Sequence, residues 1–270
     1  GVIQWTLQYV PPSTLFGIAE HESWRAGASV LKTEAGRFLR AYGGFEHPNV
    51  FGGSLAASAI LSAWLAISSE SAFRRRIFIS AATLFSFVLA LTFSRSGWMA
   101  FWFGTPALFF LCAKKIGIRD ATPILFVSIS FLIAFFLVRD IASSRFSEET
   151  LLREGSFSDR VIYLDQAVSA IREHSILGVG GGNFTTFSRI RFPESGTFIG
   201  AFQPVHTVPL LIFSELGIFG FALFVFLLAN SLFRAFWEKR ELAIAILFAF
   251  FPMLFLDHFL WSSHFGAVSL

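Results

Sequence analysis

His206 stands two residues after Pro204, at the start of an apolar run that continues to Asn230, and Glu215 follows nine residues later inside that run. The positive end of a helix dipole disfavours a protonated imidazole at such a position. That leaves a neutral ring able to take up a proton, although a plain interfacial histidine would occupy the same place. An acid within an apolar run is costly and belongs in a bundle interior against a polar partner. Two arginines hold comparably unusual positions. Arg95 lies in Ser94-Arg95-Ser96-Gly97, a joint of almost no length between apolar runs, where it either snorkels to headgroups or turns inward to an anion. Arg160 sits in the first turn of a helical pattern, opposing the dipole. An anion bound there would be met by free amides and guanidinium together; the alternative is a local ion pair with Asp159 or Glu154. One titratable base and two fixed cations suit a reaction of an anionic, lipid-anchored substrate.

The elements that must position these residues are very apolar. With 54% hydrophobic residues, 37 Phe and 14% charged residues, and a mean hydropathy of +0.65, the chain lies among polytopic membrane proteins. A span needs roughly 20 apolar residues to cross about 30 Å of hydrocarbon. Six runs qualify as candidates, at about 50–68, 77–93, 97–113, 121–138, 207–230 and 242–258. The expected fold is all-α, a polytopic transmembrane helix bundle with a largely helical extracytoplasmic loop at 139–205, forming one membrane domain over 1–270. The chain begins (Val2–Val10) and ends (Phe265–Leu270) inside apolar runs, as expected of a fragment with further spans at both ends.

Basic residues orient the bundle, because short cytoplasmic loops carry the Lys/Arg excess. Arg74-Arg75-Arg76, then Lys114, Lys115 and Arg119, then Arg234, Lys239 and Arg240 occupy alternate joints. These fix topology and, with a pI near 9.4, carry no nucleic-acid motif. The remaining joints, His47–Asn49, Ser94–Gly97, 139–205 and Asp257–His258, then share the extracytoplasmic face. Cys112 is the single cysteine and reads as a small core residue. Trp98 and Trp102 read as interfacial anchors.

Residues 11–48 are too polar, and too broken by Pro11, Pro12 and glycines, to span. They read as a loop ending in Tyr42-Gly43-Gly44-Phe45-Glu46-His47-Pro48-Asn49. Asn49 is a candidate N-cap for the first span, and His47 or Asn49 a candidate substrate contact. Val161, Leu164, Val168 and Ile171 recur at helical spacing after a Ser156 or Ser158 cap, giving a stripe that lies on the membrane surface or against other loops. The run Gly178-Val179-Gly180-Gly181-Gly182-Asn183 lacks the Lys-Ser/Thr of a phosphate loop, and Asn183 breaks a dinucleotide fingerprint. A flexible turn passing close to a headgroup or sugar fits it better. Gly217 and Gly220 read as helix-packing positions.

No cluster with metal-ligand spacing, nucleophile elbow or nucleophilic Cys accompanies these residues, so no metal and no cofactor is expected. A transporter or flippase for an anionic solute or lipid is the alternative. Its sites tend to lie at the midplane in broken helices of repeated halves, and the sequence shows neither a repeat nor a pair of interrupted spans.

Thr92-Phe93-Ser94-Arg95-Ser96-Gly97-Trp98, then Arg160 followed by Ile171 to Phe184, and His206 followed by Glu215-Leu216-Gly217-Ile218-Phe219-Gly220, resemble in order and spacing the O-antigen ligase/polymerase family. The His47-Pro48-Asn49 segment is similar too, and the resemblance covers roughly 42–260. Thr207 stands where that family commonly has Asn. The resemblance implies an inverting, membrane-embedded glycosyltransferase of the bacterial inner membrane. It would act at the extracytoplasmic face on a glycan linked to polyprenyl pyrophosphate, with a saccharide, lipid or protein hydroxyl as acceptor. Pyrophosphate is a good leaving group, so paired carboxylates are not needed. Arg95 and Arg160 then stabilise the departing charge and His206 deprotonates the acceptor. His47, Asn49, Ser94, Gly180, Asn183 and Glu215 are the implied substrate-binding residues.

Overall fold

The computed structural model describes residues 1–15, 17–33, 36–113, 121–143, 156–197 and 202–263. Lys114, Lys115, Arg119, Glu154 and the terminal run Phe265–Leu270 lie outside them, as do the side chains of Ser156, Ser158 and Asp159. The chain divides into two compact units, Gly1–Thr150 with Lys239–Pro252, and Leu151–Glu238 with Met253–Leu270.

The first unit opens with α1 (Val2–Leu7) and four short strands, β1 (Tyr9–Val10), β2 (His21–Glu22), β3 (Val30–Thr33) and β4 (Gly36–Leu39). The segment 11–48, read as a loop, thus holds β2, β3 and β4, which form two antiparallel pairs with β1 included, Tyr9 opposite Glu22 and Val30 opposite Leu39. Val10, Ile18, Leu39 and Tyr42 form its apolar centre. Four long helices follow: α2 (Pro48–Ile67), α3 (Ala72–Leu91), α4 (Arg95–Cys112) and α5 (Thr122–Leu137), with a short α6 (Arg139–Ser143) behind them. α2 packs against α3, α4 and α5 through small buried residues, among them Gly52, Ala56, Ala59 and Ala63, which let helix backbones approach closely. Trp98, expected at an interface, is instead 6% exposed. Its ring meets Phe93, Phe131 and Phe135, and its Nε1–H donates to the Leu89 carbonyl at 3.1 Å.

The second unit contains α7 (Ser156–Glu173), α8 (Phe184–Arg191), a 3-10 turn (Pro193–Thr197), α9 (Val208–Trp237) and α11 (Phe259–Ser262). Helix α10 (Glu241–Leu256) runs through the division and holds Pro252. On α7 the buried face is Tyr163, Gln166, Ala167 and Ala170, whereas Val161, Leu164 and Val168 of the expected stripe are about two-fifths exposed. The stripe therefore points outward.

The long apolar helices coincide with the six apolar runs to within a few residues, except that α3 begins earlier and takes in Arg74-Arg75-Arg76, and α9 extends to Trp237. By length and composition α2 and α9 are able to cross a membrane, and α5 and α10 are shorter apolar helices. Phe110, Leu137, Phe219 and Trp237 are each more than two-thirds exposed. Large apolar side chains left open in such numbers are at home against hydrocarbon. Helix α9 is not continuous: Gly217, at φ 66 and ψ −165, interrupts it. Gly217, read as a packing position, is closely packed against the Ile176–Leu177 backbone and also makes that break, since only glycine adopts this backbone at little steric cost.

Candidate functional site

In the second unit, Pro204 to Thr207 bring His206 to the N-terminus of α9 and onto the flank of α7. Its ring stacks on Tyr163, with centroids 6.0 Å apart at 16°, and meets His258 edge to face at 4.9 Å and 82°. Burial, then His258, then Arg160 push its pKa down to about 4, and Asp257 opposes them. The imidazole is therefore neutral at physiological pH. Its Nδ1 is buried without a hydrogen-bond partner among the described residues. Arg160, three residues before Tyr163 on α7, reaches the Leu256 carbonyl at 3.5 Å. Because α7 already includes Ser156, Arg160 lies beyond the first turn. The expectation that it shares the free amides there is corrected: its cation faces His206 from the body of the helix.

Tyr163, Phe184, Val205 and Leu211 share one buried cluster, with Trp261 packed on it. Glu215 is 4% exposed and fully engaged. One carboxylate oxygen accepts the Trp261 indole N–H at 2.8 Å, and the other accepts the Phe184 amide at 3.4 Å. Glu215, expected to touch substrate, ties the start of α8 to α11. Its charge suits an amide at a helix N-terminus.

The glycine run has a definite task. Gly178, Gly180 and Gly182 all have positive φ. The turn they make lies against the break in α9: Val179 N–H donates to the Ser214 carbonyl and Gly180 N–H to that of Glu215, each at 2.9 Å, while Ile218 N–H donates to the Ser175 carbonyl at 2.9 Å. Backbone groups freed by Gly217 are thereby satisfied, as a buried chain requires. Asn183 is exposed beside this turn, and its amide N–H donates to the Gly180 carbonyl at 3.1 Å.

In the first unit, the starts of α2 and α4 meet. A Cβ on Gly97 would lie 2.9 Å from the Gly52 carbonyl carbon, and one on Gly52 would lie 2.7 Å from Ser94 Cβ. His47, Asn49, Ser94 and Arg95 are thus brought to one end of that helix pair. The expected Asn49 cap is corrected: His47 is the N-cap, its Nδ1 accepting the Asn49 amide at 3.1 Å. Asn49 Oδ1 accepts from Arg40 Nη2 at 2.6 Å. Arg40, 3% exposed, also donates to the Thr92 carbonyl at 2.7 Å and to Ser29 Oγ at 2.9 Å, so one guanidinium fixes both helix starts. Ser94 is wholly buried and caps α4 by accepting the Gly97 amide at 3.1 Å. Phe93, buried at φ 50, turns the chain sharply into that cap. Arg95, the first residue of α4, is half-buried, and its guanidinium makes no hydrogen bond or ion pair among the described residues. His258, Asp257, Tyr163, Trp261 and Arg40 were missed in the sequence; only the polar Asp257–His258 joint at the end of an apolar run gave any signal.

A family model described as O-antigen ligase matches residues 79–225, which include Arg95, Arg160, the glycine run, His206 and Glu215. No curated protein and no solved structure matches the chain. With more than half of its length matched by that model, the chain belongs to the O-antigen ligase family, membrane-bound glycosyltransferase-type enzymes that build bacterial O-antigen polysaccharide.

Proposed function

We propose that the protein transfers a glycan from a polyprenyl-pyrophosphate carrier to a hydroxyl acceptor at the extracytoplasmic face of the inner membrane, as a multi-pass, metal-independent, inverting enzyme. The observation that carries this reading is His206: a neutral imidazole, seated between Tyr163 and His258 with the Arg160 cation close enough to depress its pKa. The acceptor oxygen attacks the anomeric carbon as its proton passes to His206, and the pyrophosphate leaves from the opposite face, inverting that carbon. Arg160 and Arg95 bind the pyrophosphate and stabilise the charge it gains. His47, whose Nδ1 accepts the Asn49 amide, carries the proton of a neutral ring on Nε2 and belongs with the substrate-binding residues of this reading.

The interrupted α9 invites the transporter alternative, because broken helices line transport sites. In such sites the unwound carbonyls coordinate the cargo. Here the carbonyls of Ser214 and Glu215 already accept the amides of Val179 and Gly180, which favours the transferase. The test is transfer from a lipid-linked glycan by the protein in liposomes. His206→Ala, Arg95→Ala and Arg160→Ala should each nearly abolish it while the protein still inserts. Near-normal rates in these variants would overturn the reading.

A further inference from the structure

We infer that the crossing between the glycine run and the break in α9 stands at the bilayer surface, with Ile176 and Leu177 entering the lipid headgroup layer and Arg172 and Arg189 meeting its phosphates. The first observation is a change in burial at Gly217. Before the break, Val208, Leu211, Ile212, Ser214 and Glu215 are buried inside the second unit; after it, Ala235 is the one buried residue of the helix among those described. Ile218 to Trp237 is about 20 residues, the length that crosses roughly 30 Å of hydrocarbon. Its far end carries Arg234 and an exposed Trp237, residue types that settle at a membrane boundary. One boundary therefore falls at Trp237 and the other at Gly217, and the part of α9 that begins at Val208 belongs outside the hydrocarbon with the rest of the second unit.

The second observation is what the break is packed against. Ile218 N–H donates to the Ser175 carbonyl at 2.9 Å, and a Cβ on Gly217 would lie 2.7 Å from the Leu177 nitrogen. Main-chain contact this close holds Ile176 and Leu177 level with the start of the span. Their side chains are nevertheless 61% and 76% exposed, and those of Ile218 and Phe219 are exposed with them. Two large aliphatic residues turned outward, tied by backbone to the first lipid-facing positions of a span, suit an apolar layer and not water. Cations flank them. Arg172 is exposed in the last turn of α7. The end of α8 folds back on that turn: the Phe187 ring meets His174 edge to face at 5.8 Å, and Arg191 donates to Glu173 at 3.1 Å. Arg189 and Ile190, both exposed, stand within two residues of that ion pair. Aliphatic side chains flanked by guanidinium groups are the pattern of a segment seated in a headgroup layer, with the apolar groups below and the cations at phosphate level. This position also separates the break in α9 from the bilayer midplane, where the broken helices of transporters hold their cargo.

The experiment is the depth of nitroxide labels on the full chain in liposomes of phosphatidylethanolamine and phosphatidylglycerol. Depth is read from relaxation by oxygen, which partitions into lipid, and by a nickel chelate, which stays in water. No substrate is needed, so the result does not depend on the transfer reaction. In a Cys112→Ala background, which removes the buried native thiol, labels are placed one at a time through Ile176→Cys, Leu177→Cys, Phe226→Cys and Asp165→Cys, all at exposed positions. The labels at 176 and 177 should lie about 5–10 Å below the phosphates. The label at 226, about 13 Å along α9 from the break, should lie deepest, and the label at 165 should remain in water. In the presence of Arg172→Gln and Arg189→Gln together, the label at 177 should become more open to the chelate; unchanged access would overturn the role given to the arginines. Labels at 176 and 177 as open to the chelate as that at 165 would overturn the inference. So would labels as deep as that at 226, which would move the crossing to the midplane, or labels shielded from both reagents, which would mean that a protein partner covers them.

Discussion

Gly178 and Gly217 cross backbone against backbone: a Cβ added to Gly178 would lie 2.6 Å from the Gly217 nitrogen, and one added to Gly217 would lie 2.2 Å from the Ile176 carbonyl oxygen. Both residues have positive φ, 70 and 66, so alanine there is strained by about 1–2 kcal/mol before any overlap is counted. The overlap is with main chain, which cannot rotate away. Gly178→Ala and Gly217→Ala should each destabilise the second unit by more than ~3 kcal/mol, seen as loss of a cooperative thermal transition in detergent. Gly182→Ala is the control. Its φ is 74 but nothing lies within 4 Å of the added Cβ, so only the strain of about 1 kcal/mol should appear. Equal losses at all three positions would mean that the crossing contributes nothing.

Glu215 accepts from Trp261 and Phe184 on its two oxygens, and a glutamine can accept on only one. Glu215→Gln should therefore leave a donor facing a donor, at a cost of about 1–3 kcal/mol. Removing the indole N–H with Trp261→Phe should make the second change cheaper, with a coupling of ~0.5–3 kcal/mol in a double-mutant cycle. KM for the lipid-linked donor should stay unchanged. A raised KM with additive stabilities would return Glu215 to the substrate.

The long helices were legible because apolar composition over roughly 20 residues is a local property. The two strand pairs were not, since strands as short as Tyr9–Val10 and His21–Glu22 leave no period to read. The same limit explains the caps. His47 and Asn49 were both singled out, but which one capped α2 depended on Arg40 drawing Asn49 Oδ1 away, a tertiary contact invisible in one dimension. Gly217 could be seen as a glycine but not as a break, because the partners that make a break tolerable lie some forty residues earlier, in the glycine run. Arg160 and His206 were chosen for their oddity and do meet in one unit. Their histidine partner was passed over as a polar joint because it comes some fifty residues later.

The depressed pKa of His206 ties stability to pH. Its ring stays neutral in the folded protein down to about pH 4, whereas the unfolded chain binds the proton below about 6.5. Between these values the unfolded state holds more protons, so stability rises with pH. The contribution is complete above about 6.5 and is lost as pH falls toward 4. Its ceiling is on the order of 3 kcal/mol, reduced by the part of the ring that water reaches. Thermal unfolding of wild type should therefore weaken over that interval, and His206→Gln should flatten the slope. A variant with the wild-type slope would place the titration elsewhere.

Arg95 and Ser94 are adjacent but should separate stability from transfer. Ser94 is buried and caps α4, so Ser94→Ala should cost about 1 kcal/mol or somewhat more, with KM for the donor little changed. Arg95 opposes the dipole of the helix it begins and has no ion pair among the described residues, so Arg95→Ala should shift stability by no more than ~0.5 kcal/mol. Transfer should nevertheless fall by about 10²–10³, the usual effect of removing one donor to a developing charge. Arg95→Lys keeps the charge but loses the planar fork that engages two phosphate oxygens, and should recover only part of the rate. If Arg95→Ala melted well below wild type, or Arg95→Lys transferred as fast as wild type, the guanidinium would be a structural residue of the α3–α4 joint and not a ligand for the leaving group.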